Sequence, residues 1–281
     1  MSNSPAAPAE GHSSLEGKPL DPDGSDADLF QSGFLADATV KCGDKTFNVH
    51  LLILCRRCEW FKKCFVGHYK ESQDREVTIV DENPDLIECL LFYIYSQDVE
   101  KAVTKLANIT QWSRYKGCVM LWKAGDFFLL PGLKRGTRKH LFTLIKADIS
   151  RLCSIDDPTA FSIDEISDAI RAAYTIPNAK WWRTAIAGFL CIARRNTLKS
   201  DKLFELMEEI PHFAVDFLKS LRHPSPSGGE MHKGPMICGK CFKPVKKPQD
   251  GAMWYPLSIS DVVVVQHLKC IEWSTPEAGK P

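Results

Sequence analysis

Between residues 37 and 95 the hydrophobic period switches from that of a strand to that of a helix, and then switches back and forth once more. That succession confines the segment to a mixed α+β domain. Val40 and Cys42 alternate with Thr39 and Lys41, and Phe47 and Val49 alternate with Thr46 and Asn48. Gly43-Asp44 between them is a two-residue turn signal, so the stretch predicts a hairpin with one buried face. Leu51, Leu54, Cys55, Cys58, Phe61 and Phe65 then follow at helical spacing, and two helices are expected between the hairpin and the next strand. Val77 and Ile79 mark a short strand. Asn83 is placed to cap a helix, Pro84 suits its first position, and Asp85 suits the positive end of its dipole. Leu86, Ile87, Leu90, Leu91 and Ile94 supply its apolar stripe.

The rest of the chain divides by composition. Residues 1–28 are rich in Pro, Ser, Gly, Asp and Ala and hold few large apolar side chains, so they are expected to be disordered, with structure starting near Phe30 to Leu35. A mixed domain over residues 29–145 continues through Met120, Leu121, Ala124, Phe127 and Phe128. Pro131-Gly132 there predicts a tight helix–helix connection. An all-α region is expected over residues 150–222. In it Ser162 and Glu165 have capping-box spacing, Pro177 ends a helix, and Asp201 is a candidate cap for Leu203 to Ile210. Phe213, Phe217 and Leu221 form the last stripe. Residues 223–235 read as a linker, and residues 236–275 as a small module carrying two close pairs of metal-ligand residue types.

Charge and composition exclude several function classes. Lys and Arg number 36 against 35 Asp and Glu, a balance without a global field for nucleic acid or an anionic membrane. The basic run Lys134 to His140 is expected on a solvated helix face. No apolar run approaches the roughly 18 residues of a membrane span, and the first residues lack the basic and apolar parts of a secretory signal. With 11 cysteines and no such signal, the expected setting is a reducing one, cytoplasm or nucleus. Cys42, Cys89, Cys118, Cys153 and Cys191 are expected as small buried hydrophobes. Neither a Ser/His/Asp order nor a P-loop nor paired carboxylates are present, so no enzyme is expected.

The pattern set by Asp37, Val40, Gly43, Phe47, Val49, His50, Leu54, Cys58, Phe61 and Phe65 resembles that of a BTB/POZ domain, as do Lys70-Glu71-Ser72, the strand Val77-Thr78-Ile79 and the helix ending Tyr93-Ile94-Tyr95. The resemblance departs at Cys55 and Cys58, where the family usually has Ser, and extends from residue 34 to about residue 142. The later helices, ending in PHFAVDFLKSL, are similar to the tail of fungal-type members. The resemblance implies a protein-interaction surface without catalytic apparatus, and a structural role for His50 near a helix start. It also implies a specific contact. Members that bind a cullin ubiquitin-ligase scaffold carry a hydrophobic-x-Glu triplet before a Ser, which Tyr69-Lys70-Glu71-Ser72 fits. Tyr69 and Glu71 are therefore the candidate partner-binding residues, an aromatic anchor beside a carboxylate. Homodimerisation through surface beside the first strand is a further family mode. The short segment before Asp37 argues against an exchanged strand and leaves the oligomeric state open.

Two cysteine pairs invite different readings. Cys55 and Cys58 both fall on the apolar face of the predicted helix, with no redox-motif context, so packing is expected. Cys238-Gly239-Lys240-Cys241 has the interior of a zinc knuckle, and 25 residues separate it from the second pair, His267 and Cys270. Three sulfurs and one nitrogen suit tetrahedral zinc, and a module of this size has too little core to fold well without such a staple. Trp254-Tyr255 and Val262 to Val265 leave room for a small hairpin between the pairs. The functional expectation is a protein–protein interaction adaptor, in one version a substrate adaptor of a cullin-type ubiquitin ligase. The alternative is a nuclear regulatory protein whose zinc module contacts nucleic acid or chromatin partners, supported by Lys240, Lys243, Lys246, Lys247 and Lys269.

Overall fold

A computed structural model of the chain describes residues 25–152, 163–193, 197–222, 236–238, 253–255 and 263–266. Its contacts divide it into two units, residues 1–97 and 98–281. In the first unit the strands β1 (Ala38–Cys42), β2 (Lys45–Val49) and β3 (Glu76–Ile79) form a sheet in the order β2-β1-β3. β1 and β2 are antiparallel with Val40 opposite Phe47, and β1 and β3 are parallel with Val40 opposite Val77. The alternation of the sequence becomes a buried face of Val40, Cys42, Phe47, Val49, Val77 and Ile79. The turn is the expected Gly43-Asp44, with Gly43 at φ 57°. A Cβ there would lie 2.8 Å from Cγ of Pro84, so glycine is needed for space as well as for backbone angle.

Five helices complete this unit: α1 (Asp26–Ser32), α2 (Leu51–Arg57), α3 (Glu59–Phe65), α4 (Lys70–Asp74) and α5 (Pro84–Ser96). α1 lies ahead of the start expected near Phe30, and it has its own anchors. Asp28 accepts from the Ser25 backbone at 2.6 Å, and Phe30 packs 5.1 Å from the Tyr95 ring. Two helices are expected between the hairpin and β3, and three are found, with the helical spacing over residues 51–65 divided between α2 and α3. Cys58 closes α2 and opens α3 in an extended conformation, φ −136° and ψ 112°. Leu54, Cys58, Phe61 and Phe65 are all buried across the break. The apolar spacing thus survives a kink that the spacing itself cannot reveal.

α5 is the centre of the unit. Asn83 caps it as expected, its side chain accepting from the N–H groups of Asp85 at 2.8 Å and Leu86 at 3.0 Å. Leu86, Ile87, Leu90, Leu91 and Ile94 are buried, and so are Cys89, Phe92, Tyr93 and Tyr95 outside the predicted stripe. Its C-terminal end is clamped by Arg57, which donates to the carbonyls of Ile94 (3.0 Å) and Tyr95 (2.6 Å) and to Asp26 (2.5 Å).

The second unit carries α6 (Val99–Thr110), α7 (Arg114–Phe127), α8 (Pro131–Leu152), α9 (Asp164–Thr175), α10 (Lys180–Ile192), α11 (Asp201–Glu209) and α12 (Pro211–Arg222). It also holds a sheet of β4 (Met236–Cys238), β5 (Met253–Tyr255) and β6 (Val263–Gln266) in the order β4-β6-β5. The helix stop at Phe127 and restart at Pro131 follow the expected connection. α7 is covered by α6, α8 and α9. Gly136 lets α8 approach α6 closely, since a Cβ there would lie 2.5 Å from Cγ2 of Val99. Ser113 caps α7 by accepting from Lys116 N–H at 3.1 Å, and donates to Asp168 of α9 at 2.6 Å.

Two cap assignments shift. The residue before α9 is Ile163, without a side-chain cap, and Ser162 of the expected capping box lies outside the described residues. Asp201 is the first helical residue of α11 rather than its cap, the N-cap position falling to Ser200. Pro211 opens α12, as a proline without an N–H can. The expected linker 223–235 lies outside the described residues.

Replacing the cap of α5 isolates one local term. Asn83→Ala is expected to lower unfolding free energy by about 1 kcal/mol with an unchanged urea m-value, measured by circular dichroism.

Candidate functional site

The segment from α3 to β3 carries the predicted contact residues. α3 ends at Val66 in an irregular conformation, and Gly67 and His68 lead to Tyr69, the N-cap residue of α4. The Tyr69 carbonyl accepts from Ser72 N–H at 3.1 Å, which starts the short helix. α4 ends at Arg75, whose left-handed backbone, φ 51°, turns the chain into β3. The Arg75 carbonyl then accepts from Thr39 N–H at 2.9 Å, joining the turn to the sheet. The connection is short and tied at both ends, to buried Phe65 and buried Val77.

On this frame the side chains point out. Val66 is 64% exposed and Tyr69 66%, and Glu71 is exposed as well. The Tyr69 ring lies over Gly67, where an added Cβ would meet its Cδ2 at 3.2 Å. Neither Tyr69 nor Glu71 uses its side chain in a hydrogen bond or ion pair among the described residues. Lys62, Lys63, His68 and Lys70 are exposed around them. The half-buried thiol of Cys64 on α3 is pushed up by burial and then by the nearby Glu71 carboxylate, which places that charge close to α3. The result is an apolar pair with one unengaged carboxylate on a small exposed turn. Such a surface can anchor a partner but offers no group poised for proton or group transfer.

His50 serves structure, as the resemblance implied. Its Nε2 lies 2.7 Å from the Phe34 carbonyl, to which only an N–H can donate. Nδ1 is then left to accept from the Tyr95 hydroxyl at 2.9 Å, and the same oxygen accepts from the His50 backbone N–H at 2.7 Å. Burial pushes the Tyr95 hydroxyl up to about 12, so it remains a donor at physiological pH. The packing role expected for Cys55 and Cys58 also fits the structure. Cys58 is 1% exposed and burial raises its thiol to about 11, while burial raises half-buried Cys55 too. Cys42, Cys89 and Cys118 are buried as expected, Cys191 is only half-buried, and Cys153 lies outside the described residues.

Of the four expected zinc ligands, Cys238 ends β4, and Cys241, His267 and Cys270 lie outside the described residues. The strands place Cys238 opposite Val265 in parallel register, and Trp254 opposite Val265 in antiparallel register. Among the described residues no cluster of His, Cys, Asp or Glu could hold a metal ion. No helix among them is long and apolar enough to cross a membrane.

A three-stranded sheet with a buried central helix and a tethered surface turn defines an interaction module. Comparison with known proteins agrees: residues 27–140 match the BTB/POZ domain family, and the chain carries a BTB/POZ domain there. Kelch-like protein 40a of Danio rerio is 33% identical over 82 residues, 29% of this chain and 13% of that protein. Kelch-like protein 41 of Mus musculus is 30% identical over 73 residues, 26% of this chain and 12% of that protein. The human Kelch-like protein 41 is 29% identical over the same length. The chain thus spans about an eighth of the length of these relatives. The likeness concerns the domain and does not extend to the fungal-type resemblance of the later helices.

Burial makes a testable statement about the cysteines. With its thiol near 11, about one Cys58 in a thousand is thiolate at pH 8. In the native chain Cys58 is expected to resist iodoacetamide at that pH while the half-buried Cys55 and Cys64 label first, with labelling rising as pH rises. Peptide mass mapping after timed alkylation checks the order.

Proposed function

We propose that this protein is a protein–protein interaction adaptor whose BTB/POZ domain docks a cullin-type ubiquitin-ligase scaffold through the α3–α4 turn. The carrying observation is the exposure of Tyr69 together with the unengaged carboxylate of Glu71 on a turn tied to both α3 and the sheet. Because the backbone there is already held by β3 and α3, a partner would order little beyond side chains, which favours affinity from a small patch. The resemblance of Tyr69-Lys70-Glu71 to the family's scaffold-binding triplet supports the same reading. Among the family's ways of assembling, homodimerisation remains compatible with this surface being free.

Calorimetry of the full chain against a cullin N-terminal domain tests the proposal. Micromolar or tighter binding is expected. Tyr69→Ala is expected to weaken it about tenfold or more, and Glu71→Arg to abolish it, with circular dichroism unchanged. Affinity unchanged in Glu71→Arg removes the assignment.

We further propose that Cys238, Cys241, His267 and Cys270 hold a structural zinc ion. The register of β4 beside β6 supports this reading, since Cys238 is opposite Val265, two residues before His267 in the chain. The donor set, three thiolates and an imidazole, is one that zinc favours. The purified chain is expected to carry about one zinc per molecule by atomic emission, and Cys241→Ser to lose most of it. Unchanged zinc content in that variant shows the four-ligand assignment to be wrong.

A further inference from the structure

Outside the BTB turn, the second unit holds a cluster that nothing above uses. Trp122 of α7, Arg138 and Phe142 of α8, and Trp181 and Trp182 of α10 meet in one place. Trp122 and Trp182 are edge to face at 6.0 Å, Trp181 and Trp182 at 5.2 Å, and Phe142 and Trp181 at 5.5 Å. The Arg138 guanidinium lies over two of these rings, 4.8 Å from the Trp181 centroid and 5.8 Å from that of Trp122. Phe142, Trp181 and Trp182 thus hold each other, and the indoles hold the arginine.

Among the described residues the cluster lacks an acceptor. Arg138 makes no hydrogen bond or ion pair among the described residues, although its side chain is half-buried and its Nε is enclosed. Trp122 Nε1 and Trp182 Nε1 are likewise enclosed and unpartnered, with the residues 4% and 0% exposed. Three buried N–H donors without an acceptor in one cluster is a costly arrangement for a native interior. The Arg138 Nη nitrogens are not among the enclosed atoms, so the outer edge of the fork remains open to solvent. A guanidinium offers donors only, in one plane, and matches the two oxygens of a carboxylate. Stacking on indole faces fixes that plane in advance, so less freedom is lost on binding.

The surroundings are basic. Lys134, Arg135 and Lys139 share α8 with Arg138, and Lys180 opens α10, which contains no acidic residue. Asp126 accepts from Lys134 on this helix, and the carboxylates of Glu100 and Asp98 act on His140 at the end of the run. The basic run Lys134 to His140 therefore has a feature its charge count does not show: Lys134 and Arg138 both lie over the Trp122 ring, and among the described residues the Arg138 fork is uncommitted.

We propose that Arg138, framed by Trp122 and Trp181, is a recognition site for a carboxylate on an acidic segment of a partner protein. The site belongs to the helical unit and does not depend on the cullin-adaptor reading. The neighbouring lysines and Arg135 would draw in a run of Asp or Glu, and Arg138 would fix one of them bidentately.

Fluorescence anisotropy of the full chain with a fluorescein-labelled oligoglutamate peptide, at physiological ionic strength, tests this. Arg138→Lys, which keeps the charge and the aliphatic stem but not the fork, is expected to weaken binding about tenfold. Arg138→Met is expected to weaken it at least as much, and Arg135→Met less than twofold. In the unlabelled wild type, saturating peptide is expected to change tryptophan emission, a readout that needs no variant. Arg138→Lys binding as wild type does, or no emission change at saturation, overturns the proposal. A single-stranded oligonucleotide of equal charge that binds as tightly, with the same loss in Arg138→Lys, assigns the fork to phosphate and also overturns it.

Discussion

α5 buries its side chains almost all the way round, and the first unit is arranged to satisfy that demand. A helix with one apolar stripe needs one neighbour, whereas one buried on every side needs cover on every side. α1 and α2 pack on it, and Lys45 ties its first turn to the sheet through Asp85 at 2.5 Å and Glu88 at 2.7 Å. Burial also raises the cost of leaving polar groups unpaired, which explains the bonds at its end. Tyr95 brings a hydroxyl into the core, and His50 engages it from both ring and backbone. Arg57 takes up two terminal carbonyls that the helix cannot satisfy itself.

That rigid interior is what allows the α3–α4 turn to be presented without being flexible in its attachment. Phe65 and Val77 are buried in the core on either side, while Val66, Tyr69 and Glu71 stay exposed between them.

The helical unit solves the same problem with polar stitches. Tyr115 donates to Asp148 inside the unit, Tyr174 donates to Asp216 at 2.9 Å, and Arg171 grips Glu209 with bonds of 2.7 to 3.0 Å. Burial, then the bond to Asp216, drives the Tyr174 hydroxyl well above its ordinary range, keeping it a donor. Among the described residues the buried groups left without a partner are Arg138 Nε, the Trp122 and Trp182 indoles and His140 Nε2.

The hairpin, the capped start of α5 and the Pro131 restart were legible because each is written in adjacent residues: alternation about Gly43, the Asn83-Pro84 pair, the Pro-Gly step. Tyr69 and Glu71 were legible through a family triplet, and their exposure was not, since exposure depends on where α4 sits. The place of the break, Cys58, was hidden because an apolar residue every third or fourth position fits a kinked pair of helices as well as one straight helix. The open fork of Arg138 was equally hidden. Its two rings come from α7 and α10, which chain order does not place together, and a basic run looks the same whether its arginine is solvated or stacked. Local periodicity and end signals, being short-range, determined most of the strands and helices of residues 37–95, and the resemblance those residues carry implied the BTB/POZ domain. Tertiary packing alone decided which cations and aromatics remain uncommitted, because a group is unpaired only with respect to everything folded around it.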